Sequence, residues 1–178
     1  NGLRMSDGIS IQRLKFILYL TRFEKAIDLL PKIKWERALV QFFSLAIDYL
    51  ITPKNIAVYS KYYSRIIALA VKANKYESAI QLVNQIRFSF EQLLEATKNR
   101  NGSIKDINKY IHCLNNSWEY QLSLISEAIY SVHNPFEKLN VEETKALVAL
   151  VSKLGSNSKE TLENINAKSI FLFHADLH

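Results

Sequence analysis

Four cationic residues in the first half of the sequence have a spacing that could bind an anionic partner. They are Lys54, Lys61, Arg65 and Lys72, separated by seven, four and seven positions. On a helix of 3.6 residues per turn these positions fall on one line. Tyr62 lies among them and could stack on a base. The pattern predicts a docking stripe for an acidic protein segment or a phosphate backbone, and the alternative is the solvated face of an amphipathic helix.

The remaining chemically reactive residues do not combine into a catalytic or metal site. His174 and His178 flank Asp176 at a spacing that can hold a metal on a helix, but no Glu follows His174 as the zinc-protease pattern requires. His112 and Cys113 are adjacent, and adjacent helix positions point about 100° apart, so they cannot form a nucleophile–base pair. With four glycines in the chain, backbone cradles for phosphate are not expected. We therefore expect no enzyme, no cofactor and no metal.

The composition indicates one globular, helical domain. The 178 residues include 48% hydrophobic and 22% charged residues, which is ordinary for a globular protein and excludes wholesale disorder. Four Gly and three Pro are too few for the many tight turns of an all-β fold. The single cysteine excludes a disulfide-stapled secreted scaffold.

The charge is unevenly distributed along the chain. Residues 1–100 carry 16 Lys and Arg against 8 Asp and Glu, whereas residues 101–178 carry 7 against 9. The longest apolar stretch, Ala38 to Ile47, is too short to span a bilayer, and no signal-peptide layout is visible. We expect an intracellular protein, cytoplasmic or nuclear, without a membrane span and with a basic first half that meets a partner electrostatically.

Apolar residues recur at helical spacing almost throughout, and the polar residues between them predict the helix ends. Thr21 with Glu24, Asn74 with Glu77, and Asn140 with Glu143 are predicted capping boxes. The polar run 99–102 is the clearest break, and Gly155 suits a helix end. The prediction is an all-α chain of nine helices at about 10–20, 21–30, 35–50, 54–73, 75–98, 104–114, 118–129, 140–154 and from 158 onward.

Residues 22–30 and 75–83 form an internal repeat at an offset of 53 positions. Both copies read basic, aromatic, Glu, any residue, Ala, Ile, any residue, Leu, aliphatic. The aromatic is expected to begin the second helix of a hairpin, and the Ala, at Ala26 and Ala79, to let two backbones approach closely. This pattern resembles the second helix of a tetratricopeptide repeat, with a Tyr-Glu-x-Ala segment at 76–79, over residues 10–33 and 63–86. Leu14 and Ile67 stand where that family has a small residue, and the period differs from the family's 34.

The resemblance implies TPR-like hairpins stacked as a short α-solenoid, and a compact helical bundle is the alternative. Residues 1–178 are expected to be a single domain, with a subdivision into a basic half, 1–98, and a C-terminal half, 103–178, as the alternative. The expected function is a non-catalytic protein–protein interaction scaffold, or a subunit of a larger assembly, that binds an acidic or amphipathic partner segment. Four aromatic residues could lie outside the central core line: Tyr19, Phe43, Tyr49 and Phe88. In a solenoid they could line a groove for a partner peptide, and in a bundle they would simply belong to the core, which is the safer assumption. The alternatives are a nucleic-acid-binding protein using the stripe, and an enzyme whose site is assembled from residues distant in sequence.

Overall fold

The described part of the chain is entirely helical apart from its connections. The computed structural model describes residues 5–131 and the isolated positions 141–142, 145, 148–149, 159–160 and 163, with side chains from residue 13 onward. It contains five α-helices: α1 (Met5–Leu29), α2 (Glu36–Leu45), α3 (Tyr63–Lys72), α4 (Tyr76–Asn99) and α5 (Ile104–Ile129). Two 3-10 helices, Lys32–Lys34 and Ser60–Tyr62, and a π-helix, Ala46–Leu50, lie between them. No strand occurs among the described residues, so the predicted all-α class is confirmed.

The predicted helix break at Thr21 is wrong, because α1 runs without interruption through it. The hydroxyl of Thr21 donates to the carbonyl of Ile17 at 2.8 Å, one turn back in the same helix. Such a bond keeps the threonine inside a helix rather than at its start. Glu24, the other half of the predicted capping box, bonds to Arg65 of α3 instead. Residues 10–33 therefore contain no helical hairpin.

The predicted break between residues 114 and 118 is also wrong, and α5 spans both predicted helices. The polar run Asn115–Ser117 suggested a connection, but the hydroxyl of Ser117 bonds back to the carbonyl of Leu114 at 2.6 Å within the helix. Leu114 and Leu122 are both buried, so a single apolar face continues across the polar run. The two helices predicted at 10–20 and 21–30 are therefore one helix, α1, and the two predicted at 104–114 and 118–129 are one helix, α5.

The predicted start of the helix at residues 54–73 is misplaced, since α3 begins at Tyr63. Residues 51–59 are instead a series of turns. The side chain of Asn55 donates to the carbonyl of Tyr49 at 2.9 Å, and its amide donates to the hydroxyl of Thr52 at 3.3 Å. Ile56 and Tyr59 are buried, so the core holds this turn region in place without a helix.

Asn74 ends α3 rather than capping α4, so the predicted capping box with Glu77 is wrong. Its φ of 60° places it in the left-handed region. The amide of Lys75 donates to the carbonyl of Ala70 at 2.8 Å, which closes a Schellman motif. Asn101, with φ of 55°, ends α4 in the same way, and the amide of Gly102 donates to the carbonyl of Thr97 at 2.8 Å. The predicted break at 99–102 is confirmed.

The helices share one hydrophobic core. The connection 100–103 is short, and the hydroxyl of Ser103 caps α5 by accepting from the amide of Asp106 at 3.1 Å. The α4–α5 pair is the most extensive contact in the fold, with α3 packed on α4 and α1 packed on α3. Aromatic rings fill the space between α1, α2 and the turn region: Phe16, Phe23, Phe42, Tyr59 and Tyr62.

Only the second copy of the internal repeat forms the expected hairpin. Tyr76 begins α4 and is buried, and its hydroxyl donates to Glu127 of α5 at 3.0 Å. Ala79 is fully buried, as the close helix approach requires. The predicted capping box Asn140–Glu143, the helix end at Gly155 and the histidines His174 and His178 lie outside the described residues. The isolated described positions beyond residue 140 are helical.

Candidate partner-binding surface

The structure does not place the four residues of the predicted stripe on one helix. Lys54 lies in the turn region, and Lys61 lies in the 3-10 helix that precedes α3. Arg65 and Lys72 lie on α3 itself. The straight line of cations depended on a helix extending from residue 54, so the geometric basis of the stripe is wrong.

Two of the four cations bond to acidic residues of α1. The guanidinium of Arg65 donates to both carboxylate oxygens of Glu24, at 3.2 and 2.5 Å, and this hydrogen bond raises the pKa of Arg65. The ammonium of Lys72 donates to Asp28 at 2.8 Å. These surface pairs join α1 to α3, where such bonds contribute little stability, and they leave Arg65 and Lys72 less charge for an anionic ligand.

Tyr62 lies beside two cations, of which the predicted stripe included only Lys61. Arg13 of α1 and Lys61 approach its ring, with the guanidinium carbon and the ammonium nitrogen 5.7 and 5.3 Å from the ring centroid. We call Arg13, Lys61 and Tyr62 the Tyr62 cluster. Desolvation is the largest single effect on the phenol and raises its pKa. The hydrogen bonds and the charges of Arg13 and Lys61 all act in the opposite direction and together outweigh it, so the pKa of Tyr62 is lowered.

An open cleft between α1 and the end of α2 lies next to this cluster. Its volume is about 450 Å³, within the range of protein ligand pockets. The aromatic cleft, as we call it, is lined by Lys15, Phe16, Tyr19, Phe42, Leu45, Ala46, Tyr49, Leu50 and Asn55. Tyr19 is 49% exposed and Tyr49 is 68% exposed, so two aromatic rings of the cleft face solvent.

The π-helix Ala46–Leu50 forms one wall of the aromatic cleft. The amide of Ile51 bonds to the carbonyl of Ala46 at 2.7 Å, a five-residue spacing that widens the helix by one residue per turn. Ala46, Tyr49 and Leu50 of this segment all line the cleft. Short π-helical segments are frequent at functional sites, which adds weight to the cleft as a candidate site.

The cations around the cleft and cluster are not neutralised within the described part of the chain. Among the described residues, Lys32 and Lys75 each form an ion pair with Glu36, and Arg65 and Lys72 of α3 form ion pairs with Glu24 and Asp28 of α1. None of these pairs involves Arg13, Lys15, Lys54 or Lys61.

Of the four aromatic residues considered for a groove, the structure exposes three and buries one. Tyr19, Tyr49 and Phe88 are exposed, and Tyr19 and Tyr49 share the aromatic cleft. Phe43 is only 2% exposed and belongs to the core, which is the alternative considered for it. Arg13 and Lys15 were not singled out by the sequence, since their proximity to Tyr62 and Tyr49 depends on how α1 packs.

A second, smaller groove crosses α3, α4 and α5. It has a volume of about 320 Å³ and an apolar floor that includes Ile67, Val83 and Phe90, with Cys113 at its wall. Burial raises the pKa of the Cys113 thiol. The neighbouring His112 ring is exposed and lies 3.1 Å from the amide of Asn116. No ionisable side chain other than Cys113 and the tyrosines lines this groove among the described residues.

Arg87 is a buried cation that sequence reasoning missed. It is 5% exposed, donates to the amide oxygens of Asn84, at 2.5 Å, and Gln121, and lies 3.9 Å over the ring of Trp118. Desolvation lowers the pKa of Arg87 to about 10, so it stays charged at neutral pH. Its contacts are to α4 and α5 residues, which makes it part of the packing between these helices.

The chain matches no known family model, no curated protein and no solved structure. Among the described residues, no helix has both the length and the apolar character that a bilayer span needs. No group of His, Cys, Asp and Glu suited to a metal ion occurs in the same described part.

Proposed function

We propose that this chain is a non-catalytic interaction module that binds a segment of a protein partner in the aromatic cleft. The observation that carries the proposal is the pair of solvent-facing rings, Tyr19 and Tyr49, in an open apolar cleft beside cations that lack a described acidic partner. Tyrosine presents a large, rigid contact area with a polar end, and it is enriched among the residues that dominate binding energy.

The cations around the cleft fit a role in electrostatic steering of a partner rather than a role in catalysis. Exposed cations such as Lys15 and Lys54 raise the rate of encounter with an acidic partner and contribute less to final affinity. The cleft residues include no acid–base pair or activated nucleophile among the described side chains. The proposal is therefore binding without catalysis.

We further propose that the fold is a short, TPR-like α-solenoid rather than a compact bundle. In support, α3, α4 and α5 pack in sequence order with short connections, and Tyr76 and Ala79 occupy the positions expected of a hairpin's second helix. Residues 10–33 do not support the proposal, since α1 is one helix. A solenoid presents an extended concave surface for a partner, which agrees with an interaction role.

The proposal is tested by affinity capture from a cell lysate after nuclease treatment. The double variant Tyr19→Ala/Tyr49→Ala removes both exposed rings of the cleft. The matched control is Phe88→Ala, which removes an exposed ring on α4 that does not line the cleft. We expect a specific protein to be retained by the wild type and the control and lost from the double variant.

Two outcomes contradict the proposal. Equal retention by all three proteins would show that the cleft is not the binding surface. In a parallel capture without nuclease, the chain could retain nucleic acid and no protein. If the affinity for that nucleic acid falls steeply as the salt concentration rises, the nucleic-acid alternative is favoured. The predicted stripe gives little support to nucleic-acid binding, because two of its four cations, Arg65 and Lys72, are paired with Glu24 and Asp28.

A further inference from the structure

The aromatic cleft and the Tyr62 cluster meet at a single side chain, Phe16. Its buried ring lines the cleft and stacks on Phe42 at a centroid distance of 5.7 Å. The same ring meets Tyr62 edge-on at 6.0 Å. An apolar patch and a cationic patch are therefore separated by the width of one aromatic ring.

Among the described residues, the one charged side chain that lines the aromatic cleft is a cation, as are the two charged side chains of the Tyr62 cluster. Lys15 lies in the cleft wall, and Lys54 directly precedes Asn55, which lines it. Asp48 precedes Tyr49 in sequence, but it does not line the cleft. Positive charge therefore occurs on the cleft wall and across Phe16, whereas no described carboxylate lines the cleft. A complementary ligand combines apolar surface with negative charge.

We propose that the partner segment is acidic and carries one large apolar or aromatic side chain that fills the cleft. Carboxylates within a few residues of this anchor then bind Arg13, Lys61 and the hydroxyl of Tyr62. The inference rests on the proposed function, and it adds the chemistry of the partner and the residues that select it.

The same geometry favours an acidic peptide over a nucleic acid. A sugar–phosphate backbone would satisfy the cations, but it would leave the apolar walls formed by Leu45, Ala46 and Leu50 without a partner. Stacking of a base needs an open ring face, whereas Tyr62 is half-buried, contacts Phe16 and has two cations over its ring.

The test is selection of a random library of short peptides on the whole chain. We expect the wild type to enrich sequences in which Trp, Phe or Leu has Glu or Asp within a few positions. Arg13→Glu/Lys61→Glu should lose the preference for acidic residues, and Tyr19→Ala/Tyr49→Ala should lose the preference for the apolar anchor. The matched control Lys98→Glu/Lys109→Glu makes the same change in net charge at exposed positions of α4 and α5.

Binding of the most enriched peptide is then measured by fluorescence anisotropy. Each cleft or cluster double variant should raise its dissociation constant by about tenfold or more, with the control unchanged. Thermal unfolding of every variant checks that it is folded, and Tyr19 and Tyr49 are exposed enough for their substitution to leave the core intact.

The possible results separate this inference from the function it rests on. Enrichment of neutral sequences that still depends on Tyr19 and Tyr49 would overturn the acidic partner but keep the interaction cleft. The absence of any enrichment, or enrichment unaffected by both double variants, would overturn both. Tighter binding of a labelled oligothymidine than of any peptide, lost on Arg13→Glu/Lys61→Glu, would identify the cluster as a nucleic-acid site instead.

Discussion

At the scale of single residues, the charged side chains divide into those that bond to other residues across the fold and those without a described acidic partner. Arg65 and Lys72 bond to acids of α1, and Arg87 is enclosed between α4 and α5. Arg13 and Lys61 instead surround Tyr62 without a described acidic partner. Spacing along the sequence grouped Lys61 with Arg65 and Lys72, but their contacts give them different roles.

Replacing Arg87 tests its structural role. Arg87→Ala leaves the amide oxygens of Asn84 and Gln121 without their donor and uncovers Trp118, so we expect a loss of about 2–4 kcal/mol in the free energy of unfolding. Urea unfolding followed by circular dichroism measures it. Arg22→Ala, at an exposed position of α1, should change the same quantity by less than about 0.5 kcal/mol. An equally small effect at Arg87 would mean that its bonds contribute little.

The pKa of Cys113 predicts how its thiol reacts. Burial raises this pKa, so less thiolate is present at neutral pH than in a free cysteine. Alkylation by iodoacetamide should be slow at pH 7, and its rate should still be rising above the ordinary thiol pKa of about 8.5. In denaturant the profile should return to that of a free thiol. Because the folded protein keeps the proton longer, the thiol's contribution to stability falls as pH rises above the unfolded pKa.

A rate profile of the folded protein that levels off at the free-cysteine pKa would contradict the burial of Cys113. The groove of α3, α4 and α5 would then be more open to water than its apolar floor implies.

At the scale of helices, backbone geometry at the ends decides where each element stops. Asn74 and Asn101 adopt positive φ at the ends of α3 and α4, and Gly102 completes the second motif. A methyl group on Gly102 would collide with the side chain of Thr97, so a glycine is needed there. These residues end the helices, and the next helix follows after only a few residues in each case.

Asn74 gives a prediction at this scale, because one substitution should have opposite effects at two asparagines. Asn74→Ala removes the short polar side chain that makes the left-handed conformation tolerable for a residue with a Cβ, and it should lower the free energy of unfolding by about 1–2 kcal/mol. Asn108→Ala, at an exposed position inside α5, should raise it by up to about 0.7 kcal/mol through helix propensity. Chemical denaturation measures both. Stabilisation by Asn74→Ala would mean that α3 does not end as described.

At the scale of the whole molecule, one continuous set of buried residues extends from α1 to α5. It begins at Phe16 and ends at Ala128, and it includes residues of both halves of the sequence. A core shared in this way favours one cooperative unit over independent halves at 1–98 and 103–178. The subdivision considered from the change in charge would place a boundary through the α4–α5 contact.

The two tryptophans report on opposite parts of this core. Trp35 is buried at the start of α2, and Trp118 lies on α5. In Trp118→Phe and in Trp35→Phe, the remaining tryptophan's fluorescence and the far-ultraviolet circular dichroism should give the same urea midpoint, because a two-state domain unfolds as one. A fluorescence midpoint that differs from the circular dichroism midpoint in either variant would support two separately unfolding halves.

The sequence by itself determined the helical class and the break at 99–102. These depend on local periodicity and on residues such as Asn and Gly that act over one turn. It did not determine that α1 and α5 are each continuous, because a polar Thr21 or Ser117 can bond within a helix as well as end one. Whether a polar residue ends a helix depends on what the flanking apolar faces meet.

Only the tertiary structure decided which side chains form the candidate site. The aromatic cleft joins α1 to residues about thirty positions later in the sequence, and the Tyr62 cluster joins Arg13 to residues nearly fifty positions later. Helix packing brings these residues together, and packing is set by the summed burial of many apolar side chains rather than by any spacing near Arg13 or Tyr62. The same packing paired Arg65 and Lys72 with acidic residues of α1, a contact that the spacing of the cations along the sequence did not predict.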